Sequence, residues 1–246
     1  MGQVIAIVSG KGGTGKTSLC AAIATCLAAG GASVLCIDAD IGLRNLDIAL
    51  GMSDLAPISF TDVLKGRYAL QEATPHGSLP GLFLLTAPIA DAAEEVDKVA
   101  FGKLIAQARE QFDYCMIDAP AGLGMGFALA ADFADRFLAV STPDPASMRD
   151  AACVTDRLYA MHRDDIRLIV NRITPKLFRR MRLTVDDVMD GVGLPLIGIV
   201  PEDPNVMIAS ARHMPLILCS EQGAAAACRN IAARLENQRI PLIKIR

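Results

Sequence analysis

The sequence predicts an α/β fold, a doubly wound and mostly parallel sheet flanked by helices. Short aliphatic runs alternate with helical patterns along the 246 residues, which is the order that builds a parallel sheet. Hydrophobic residues make up 52% of the chain and aromatic residues only 4%, as expected when aliphatic helices cover both faces of the sheet. The first run is followed directly by a glycine-rich segment and a helical pattern.

The chain opens with a strand and a phosphate-binding loop. Residues 4–8 are apolar throughout and are predicted to form the first, buried strand. The next segment matches G-x-x-x-x-G-K-[ST], and the helix predicted over 17–29 adds its positive end to the N–H groups of the loop. This order predicts nucleotide binding and hydrolysis. The predicted contacts here are Gly10, Lys11, Gly12, Gly13, Thr14, Gly15, Lys16, Thr17 and Ser18.

Two of these side chains have predicted roles of their own. Lys16 is expected to neutralise the β- and γ-phosphates, and the Thr17 hydroxyl is expected to bind Mg²⁺. The later elements follow the same alternation. Strands are predicted at 33–37, 82–86, 114–117, 137–141, 168–170 and 196–200, and helices most clearly at 94–111, 146–161 and 221–236. Because ligands of such sheets bind beyond the carboxyl ends of the strands, polar residues at those ends are the candidates for chemistry.

Carboxylates stand at two of these strand ends. Asp118 closes the run at 114–117 and is expected to hold Mg²⁺ through its water shell. Asp38 and Asp40 follow the strand at 33–37. We expect Asp40 to orient the attacking water and Asp38 to lie near the metal, although one of the two could serve only as a helix cap. The base is predicted to be adenine, because Asn171 and Arg172 lack the Lys and Asp of a guanine site.

Composition limits the other readings. The net charge of −3 gives no general reason to bind nucleic acid, and the one basic patch is at 176–182. Seven cysteines without a C-x-x-C pair favour reduced thiols in the cytosol. We expect no leader or signal segment before the first strand, and no apolar run approaches the ~18 residues of a membrane span. We therefore expect one cytoplasmic domain over 1–246.

The loop at 11–17 resembles the deviant Walker A motif of the ParA/MinD superfamily of ATPases, and residues 38–47 resemble its MinD branch, which selects division sites. The resemblance extends along almost the whole chain and includes 118–122, 147–150, 171–172 and 200–203. It implies ATP and Mg²⁺ as cofactors. It also implies a face-to-face homodimer that forms with ATP, in which Lys11 reaches the phosphates bound by the other subunit.

The same resemblance implies a set of partners and further site residues. It places Asn171, Arg172, Pro201 and Asp203 around adenine. It implies a protein activator of the MinE kind, which stimulates hydrolysis, or an effector of the MinC kind. The residues implied on the dimer or partner face are Arg44, Asn45, Ser147, Arg149 and Asp150, of which Arg149 and Asp150 could equally be a solvated pair at a helix start.

The end of the chain departs from this family. MinD proteins end in an amphipathic helix that enters the membrane surface, whereas Pro241 interrupts the short amphiphilic tail at 238–246. The alternation at 243–246 favours a strand, so only weak peripheral contact with the inner face of the membrane is expected. Two other roles remain open in the superfamily, a flagellar-number ATPase and a ParA-like carrier that binds DNA through 176–182. A small-molecule ligase is open from the fold alone.

Overall fold

One eight-stranded sheet organises the computed structural model, which describes residues 1–88 and 96–243. The strand order is β3-β4-β2-β5-β1-β6-β7-β8, and every neighbouring pair is parallel except β3 and β4. The predicted doubly wound, mostly parallel sheet is confirmed. The strands are β1 (Gln3–Val8), β2 (Val34–Asp38), β3 (Thr74–Pro75), β4 (Leu82–Leu85), β5 (Tyr114–Asp118), β6 (Arg136–Ser141), β7 (Ile166–Ile173) and β8 (Leu196–Pro201).

Helices connect the parallel strands and cover both faces of the sheet. The longer ones lie where the sequence predicts helices, and several shorter ones were not predicted. They are α1 (Lys16–Ala29), α2 (Leu46–Ala49), α3 (Phe60–Leu64), α4 (Lys98–Gln111), α5 (Met125–Phe133), α6 (Pro145–Ala160), α7 (Pro175–Met181), α8 (Val185–Val192), α9 (Asn205–Ala211), α10 (Leu216–Cys219) and α11 (Gly223–Leu235).

The start of α4 differs from the prediction. The Asp97 side chain accepts hydrogen bonds from the N–H groups of Val99 and Ala100, at 2.8 and 3.3 Å, so it caps the helix. The predicted helix at 94–111 is therefore wrong at Val96 and Asp97, which precede the first turn. Residues 94 and 95 lie outside the described residues.

The apolar core lies on the two faces of the sheet. Alternate residues of β1 divide between them: Val4 and Ala6 face one cluster, and Ile5 and Ile7 the other. The first cluster includes Phe101 of α4 and other side chains of the helices on that side. The second is formed largely by α1 and α11. Both clusters are mainly aliphatic, as the composition predicts.

The register brings the predicted site together. Asp118 of β5 is the register partner of Asp38 on β2 and of Ile7 on β1. These three strands are neighbours and parallel, so their carboxyl ends meet at one edge of the sheet. The loop at 10–15 leaves β1 at that edge.

The described part of the tail lies against the body of the protein. Arg234 of α11 donates two hydrogen bonds to the carbonyl oxygen of Ile240, at 3.1 and 2.9 Å, and Ile243 packs against the core clusters. Residues 238–243 are not helical. Of the strand expected at 243–246, residues 244–246 lie outside the described residues. Within the described ranges no helix combines the length and the apolar character needed to cross a bilayer.

Candidate nucleotide-binding site

The phosphate loop is shaped by its glycines. Gly13 and Gly15 have φ angles of +78° and +91°, a backbone conformation that side chains rarely adopt. Gly15 is also the N-cap of α1, so the first free N–H groups of that helix face the loop. Gly10 has another constraint, because a β-carbon there would lie 2.3 Å from the carbonyl oxygen of Asp150. The loop therefore packs directly on the backbone of α6.

The two lysines of the loop have different surroundings. Lys16 is 8% exposed, and burial lowers its pKa while the negative charges of Asp118 and Asp40 act in the opposite direction. Lys11 is only half-buried, and its Nζ lies 2.9 Å from Oδ1 of Asp144. Asp144 also accepts from the Ser147 N–H as the N-cap of α6. Lys16 thus faces the site of its own chain, whereas Lys11 is held at its edge.

Asp144 is a strongly acidic group. Its slight burial would raise the pKa, but hydrogen bonds from Thr142 and Lys11 outweigh that effect and hold the pKa at about 2. The carboxylate is therefore ionised at neutral pH and attracts the Lys11 ammonium group. This residue was not predicted from the sequence. An Asp before Pro145 is a recognisable cap signal, but nothing in the sequence connects it with a lysine 133 positions away.

Asp118 carries the clearest sign of an absent ligand. It is 1% exposed, the Thr17 hydroxyl lies close to it, and its Oδ1 has no partner among the described residues. The pKa of Asp118 is raised to about 7, mainly because the group is buried. The nearby Thr17 hydroxyl and the Lys16 charge lower the pKa, and the charges of Asp38 and Asp40 raise it. A buried carboxylate oxygen without a partner is costly, so this atom is set up to receive a donor or a hydrated cation.

Asp38 holds the backbone of the next loop. Its Oδ1 accepts from the Asp40 N–H at 2.9 Å, and its Oδ2 accepts from the N–H groups of Asn45 and Leu46 at 3.1 Å. Burial raises its pKa, and these three bonds lower it. Both oxygens are therefore engaged in positioning the segment that carries Asp40. The metal-side role expected for Asp38 stays a prediction.

Asp40 is half-buried and borders a cavity of about 630 Å³. Burial raises its pKa and the Lys16 charge lowers it, and its carboxylate accepts no hydrogen bond within the described part of the chain. The side chain is thus free to bind a water molecule or another donor. The cavity is also lined by Gly12, Gly13, Gly15, Lys16, Thr17, Ser18, Leu43, Asn45, Ile48, Ala49, Pro120, Ala121, Arg172, Val206, Ala209, Ser210 and Leu216.

A second, narrower cavity of about 70 Å³ lies beside Gly15 and Ser18. Asn171 connects it to the phosphate loop, since its Nδ2 donates to the carbonyl oxygen of Thr14 at 2.7 Å. Arg172 has a φ of +57° at an irregular point of β7, with its Nε 3.7 Å from a Glu202 oxygen. The residues expected around adenine, Asn171, Arg172, Pro201 and Asp203, all line this cavity, together with Val206, Met207 and Cys228, which the sequence analysis did not single out.

Asp203 has a structural task within this wall. Its Oδ1 accepts from the Asn205 N–H and its Oδ2 from the Ala224 N–H, both at 2.9 Å, so it joins the start of α9 to the start of α11. Gly223 must lack a side chain there, because a β-carbon would lie 2.2 Å from that carboxylate. The base contact expected of Asp203 stays a prediction.

The residues expected on the partner face differ in their exposure, and the role expected of them stays a prediction. Arg44 has a φ of +43° and pairs with Asp47 at 3.2 Å, and Asn45 is exposed at the large cavity. Arg149 is exposed as well. Ser147, however, is 1% exposed, and its Oγ accepts from the Thr142 N–H at 3.0 Å, so it lies inside the turn that begins α6. Asp150 is half-buried, with its backbone against Gly10.

Comparison with known proteins agrees with this architecture. The model of the CobQ/CobB/MinD/ParA nucleotide binding domain matches residues 5–216. The septum site-determining protein MinD of Synechocystis sp. is 37% identical over 246 residues, covering 99% of this chain and 92% of that protein. The protein of the same name from Bacillus subtilis is 34% identical, covering 98% of this chain and 92% of that one.

Solved structures give the same answer. A chain of the MinC:MinD cell division protein complex of Aquifex aeolicus superposes with a TM-score of 0.91 at 37% identity, covering 98% of both chains. MinD of Pyrococcus horikoshii, solved with Mg-ADP, gives a TM-score of 0.84 at 27% identity, covering 96% of both chains. With the phosphate loop, Asp118 and Asp40 at one edge of a parallel sheet, the chain belongs to the CobQ/CobB/MinD/ParA nucleotide-binding family and, within it, to the MinD-type ATPases.

Proposed function

We propose that the protein is an ATP-dependent switch that binds Mg-ATP, dimerises face to face and hydrolyses ATP to ADP and phosphate during division-site placement. The observation that carries the proposal is the buried Asp118 oxygen without a partner, beside the Thr17 hydroxyl at the head of a phosphate loop. This pair fits a magnesium ion that accompanies a nucleotide. Lys16, buried against the same loop, supplies the charge that the β- and γ-phosphates need.

The donor set also fits magnesium in kind. Among the described residues no group of three or more His, Cys, Asp or Glu side chains could hold a metal alone. Mg²⁺ is commonly held by few protein oxygens together with phosphates and water. Thr17 would bind the ion directly and Asp118 would hold it through its water shell. When bound, the ion neutralises charge on the phosphates that changes during transfer.

Asp40 is the group we assign to the attacking water. Its carboxylate is half-buried, accepts no other hydrogen bond in the described part of the chain, and lies at the cavity that Lys16 and Thr17 also border. The Asp40 N–H donates to Oδ1 of Asp38, and this bond fixes the backbone at Asp40. A carboxylate with a fixed backbone and a free side chain can orient a water toward the γ-phosphate.

We further propose that Lys11 acts across the dimer. In the single chain its ammonium group contacts Asp144 at the edge of the site. A second ATP-bound subunit would offer phosphate oxygens in place of that carboxylate. Because only ATP carries the γ-phosphate, the exchange makes assembly depend on the nucleotide.

The partners we propose follow the relatives. Since the Aquifex aeolicus MinD was solved with MinC, an effector of the MinC kind is the first expectation, with an activator of the MinE kind for hydrolysis. Leu43 lines the large cavity, and Leu123 follows the loop at 118–122. Both side chains are exposed and suited to an apolar contact with a partner. A weak peripheral membrane contact through the tail at 238–246 belongs to the same proposal.

The decisive experiment is light scattering of the full chain with Mg-ATP, Mg-ADP or no nucleotide. We expect a dimer with Mg-ATP alone, and Lys16→Ala as the matched control should remain monomeric in all three. A mass that is the same under every condition would contradict the switch. Phosphate release measured in the same samples would separate a loss of hydrolysis from a loss of assembly.

A further inference from the structure

A cationic segment of the surface is not used by the nucleotide site. Lys176, Arg179 and Arg180 of α7 and Arg182 directly after it are all exposed. Within the described residues none of the four forms an ion pair, and the contact from Arg179 Nε to the Pro175 carbonyl oxygen is long, at 3.4 Å. Four unpaired positive charges thus lie within seven residues of a chain whose net charge is −3.

The packing of α7 turns these charges outward. Phe178 is 9% exposed and belongs to the core cluster on one face of the sheet. Lys176 and Arg180 lie two residues before and after it, which on a helix is close to the opposite side. Phe178 therefore fixes the helix to the body of the protein while the cationic face points to solvent.

Two apolar side chains border the cationic face. Leu177 is 48% exposed and Met181 is 36% exposed. They are four residues apart, so they are neighbours on the helix surface. The segment thus combines positive charge with an exposed apolar pair on one helix that Phe178 anchors to the core.

We propose that this cationic segment, residues 176–182, docks on an anionic lipid membrane. The positive charges complement anionic headgroups, and the apolar pair would leave water for the interface. A nucleic acid backbone would satisfy the same charges but would leave Leu177 and Met181 in water. The proposal is independent of the nucleotide switch and of the tail at 238–246.

The contact is expected to be short-ranged. The seven-residue helix α7 is about 10 Å long, comparable with the ~8–10 Å Debye length near physiological salt. An approaching surface therefore responds to this segment more than to the net charge. The following helix brings Asp186, Asp187 and Asp190, all exposed, so the attraction is confined to the α7 face and should weaken with salt.

The test is co-sedimentation of the full chain with phosphatidylcholine vesicles containing roughly one third phosphatidylglycerol, across a salt series. Neutralising Lys176, Arg179 and Arg180 together to Gln should lower the partition coefficient by about tenfold or more. Changing Leu177 and Met181 to Ser should lower it severalfold without altering its salt dependence. A matched control neutralises Lys103, Arg157 and Arg212 to Gln, which are exposed cations elsewhere, and should keep the partitioning of the parent.

Several outcomes would overturn the proposal. One is partitioning that the α7 triple variant leaves unchanged, or that the control triple lowers equally. Another is partitioning lost on deletion of 240–246 and untouched in α7 variants, which assigns the contact to the tail. The third is duplex DNA binding that needs the α7 cations but not Leu177 and Met181, with no vesicle binding. ATP hydrolysis at the parent rate in every α7 variant would show that these variants are folded.

Discussion

The ammonium nitrogen of Lys11 lies 2.9 Å from a carboxylate oxygen of Asp144, the N-cap of α6. Both side chains are about 40% exposed, at 36% and 46%. Exposed ion pairs contribute only about 0–1 kcal/mol, since both groups are well solvated when apart. The pair can therefore hold Lys11 in the single chain and still be exchanged for a stronger contact with phosphate.

Removing the charge of Asp144 should release Lys11. In Asp144→Asn the side-chain oxygen that caps α6 is kept and the ion pair is lost. We expect the ATP-bound chain to dimerise about 2–5 times more tightly, the equivalent of the ~0.5–1 kcal/mol that the pair contributes. Sedimentation velocity over a series of protein concentrations measures this constant. Asp144→Ala, which also loses the cap, should lower the free energy of unfolding by about 1 kcal/mol.

The two loop lysines should fail in different ways. Lys16→Ala is expected to abolish ATP binding, because the β- and γ-phosphates lose the buried charge of their own chain. Lys11→Ala should bind ATP at near the parent affinity but form no dimer and hydrolyse no ATP. Isothermal titration calorimetry with Mg-ATP compares the two variants. Equal loss of binding in both would rule out the action of Lys11 across the dimer.

Asp40→Ala should separate assembly from hydrolysis. The substitution removes the carboxylate assigned to the attacking water and leaves the Asp38 contacts of the loop with backbone N–H groups intact. We expect the variant to bind Mg-ATP and accumulate as a dimer, with phosphate release at least about tenfold slower, a typical loss for a group that positions a reactant. Asp40→Asn is the matched control for charge. A variant that stays monomeric with ATP, or hydrolyses at the parent rate, contradicts the assignment.

Asp118 should make nucleotide-free stability depend on pH. Its pKa in the folded protein is about 7, above the ordinary 3.8, so between these values the folded state binds a proton that the unfolded state does not. The free energy of unfolding should therefore fall as pH rises from about 4 to about 7, by on the order of 3 kcal/mol. Urea unfolding at several pH values measures the slope.

Asp118 should also make nucleotide binding depend on pH, but here the effect is favourable as pH rises. Mg²⁺ favours the carboxylate, so affinity for Mg-ATP should increase as pH rises through about 7. Asp118→Asn should remove both dependences. If that variant keeps the slope of the parent, another group titrates in this range.

The Thr14 hydroxyl is expected to lower the free energy of unfolding. It is 1% exposed, and its oxygen has no hydrogen-bond partner among the described residues. Valine has nearly the same shape without the hydroxyl, so Thr14→Val should raise the free energy of unfolding by about 1 kcal/mol at an unchanged m-value. Thr14→Ser, which keeps the hydroxyl and loses the methyl group, should lower it by about 1 kcal/mol. A destabilised valine variant would show that the hydroxyl is hydrogen-bonded.

Local patterns predicted much of this structure from the sequence. The apolar runs, the glycines of the loop and the carboxylates at the strand ends each depend on neighbours in the chain. Seven of the eight strands lie within three residues of their predicted ends, whereas the two-residue β3 was not predicted. The start of α4 was placed too early, because the pattern continued past the Asp97 cap. The short helices α2, α9 and α10 have four to seven residues each, too few for a clear periodicity.

Local sequence patterns could not predict the long-range contacts within the site. The Lys11–Asp144 pair and the bond from Asn171 to Thr14 join residues 133 and 157 positions apart. The three N–H donors of Asp38 are only two, seven and eight residues away, but their contacts depend on how the loop after β2 folds back. Residue type indicated that these side chains were polar and near the site, while the partner of each depended on the fold.

The close approach of Gly10 to Asp150 couples any movement of the phosphate loop to a movement of α6. Because no side-chain atom fits between them, a displacement of the phosphate loop at this point must move the helix as well. Asp150 lies ten residues before Ala160, the last residue of the helix, a distance of about 15 Å, so a tilt of about 5° at this contact would move the far end by roughly 1 Å. A displacement of the phosphate loop can in this way move a part of the surface that no nucleotide contacts.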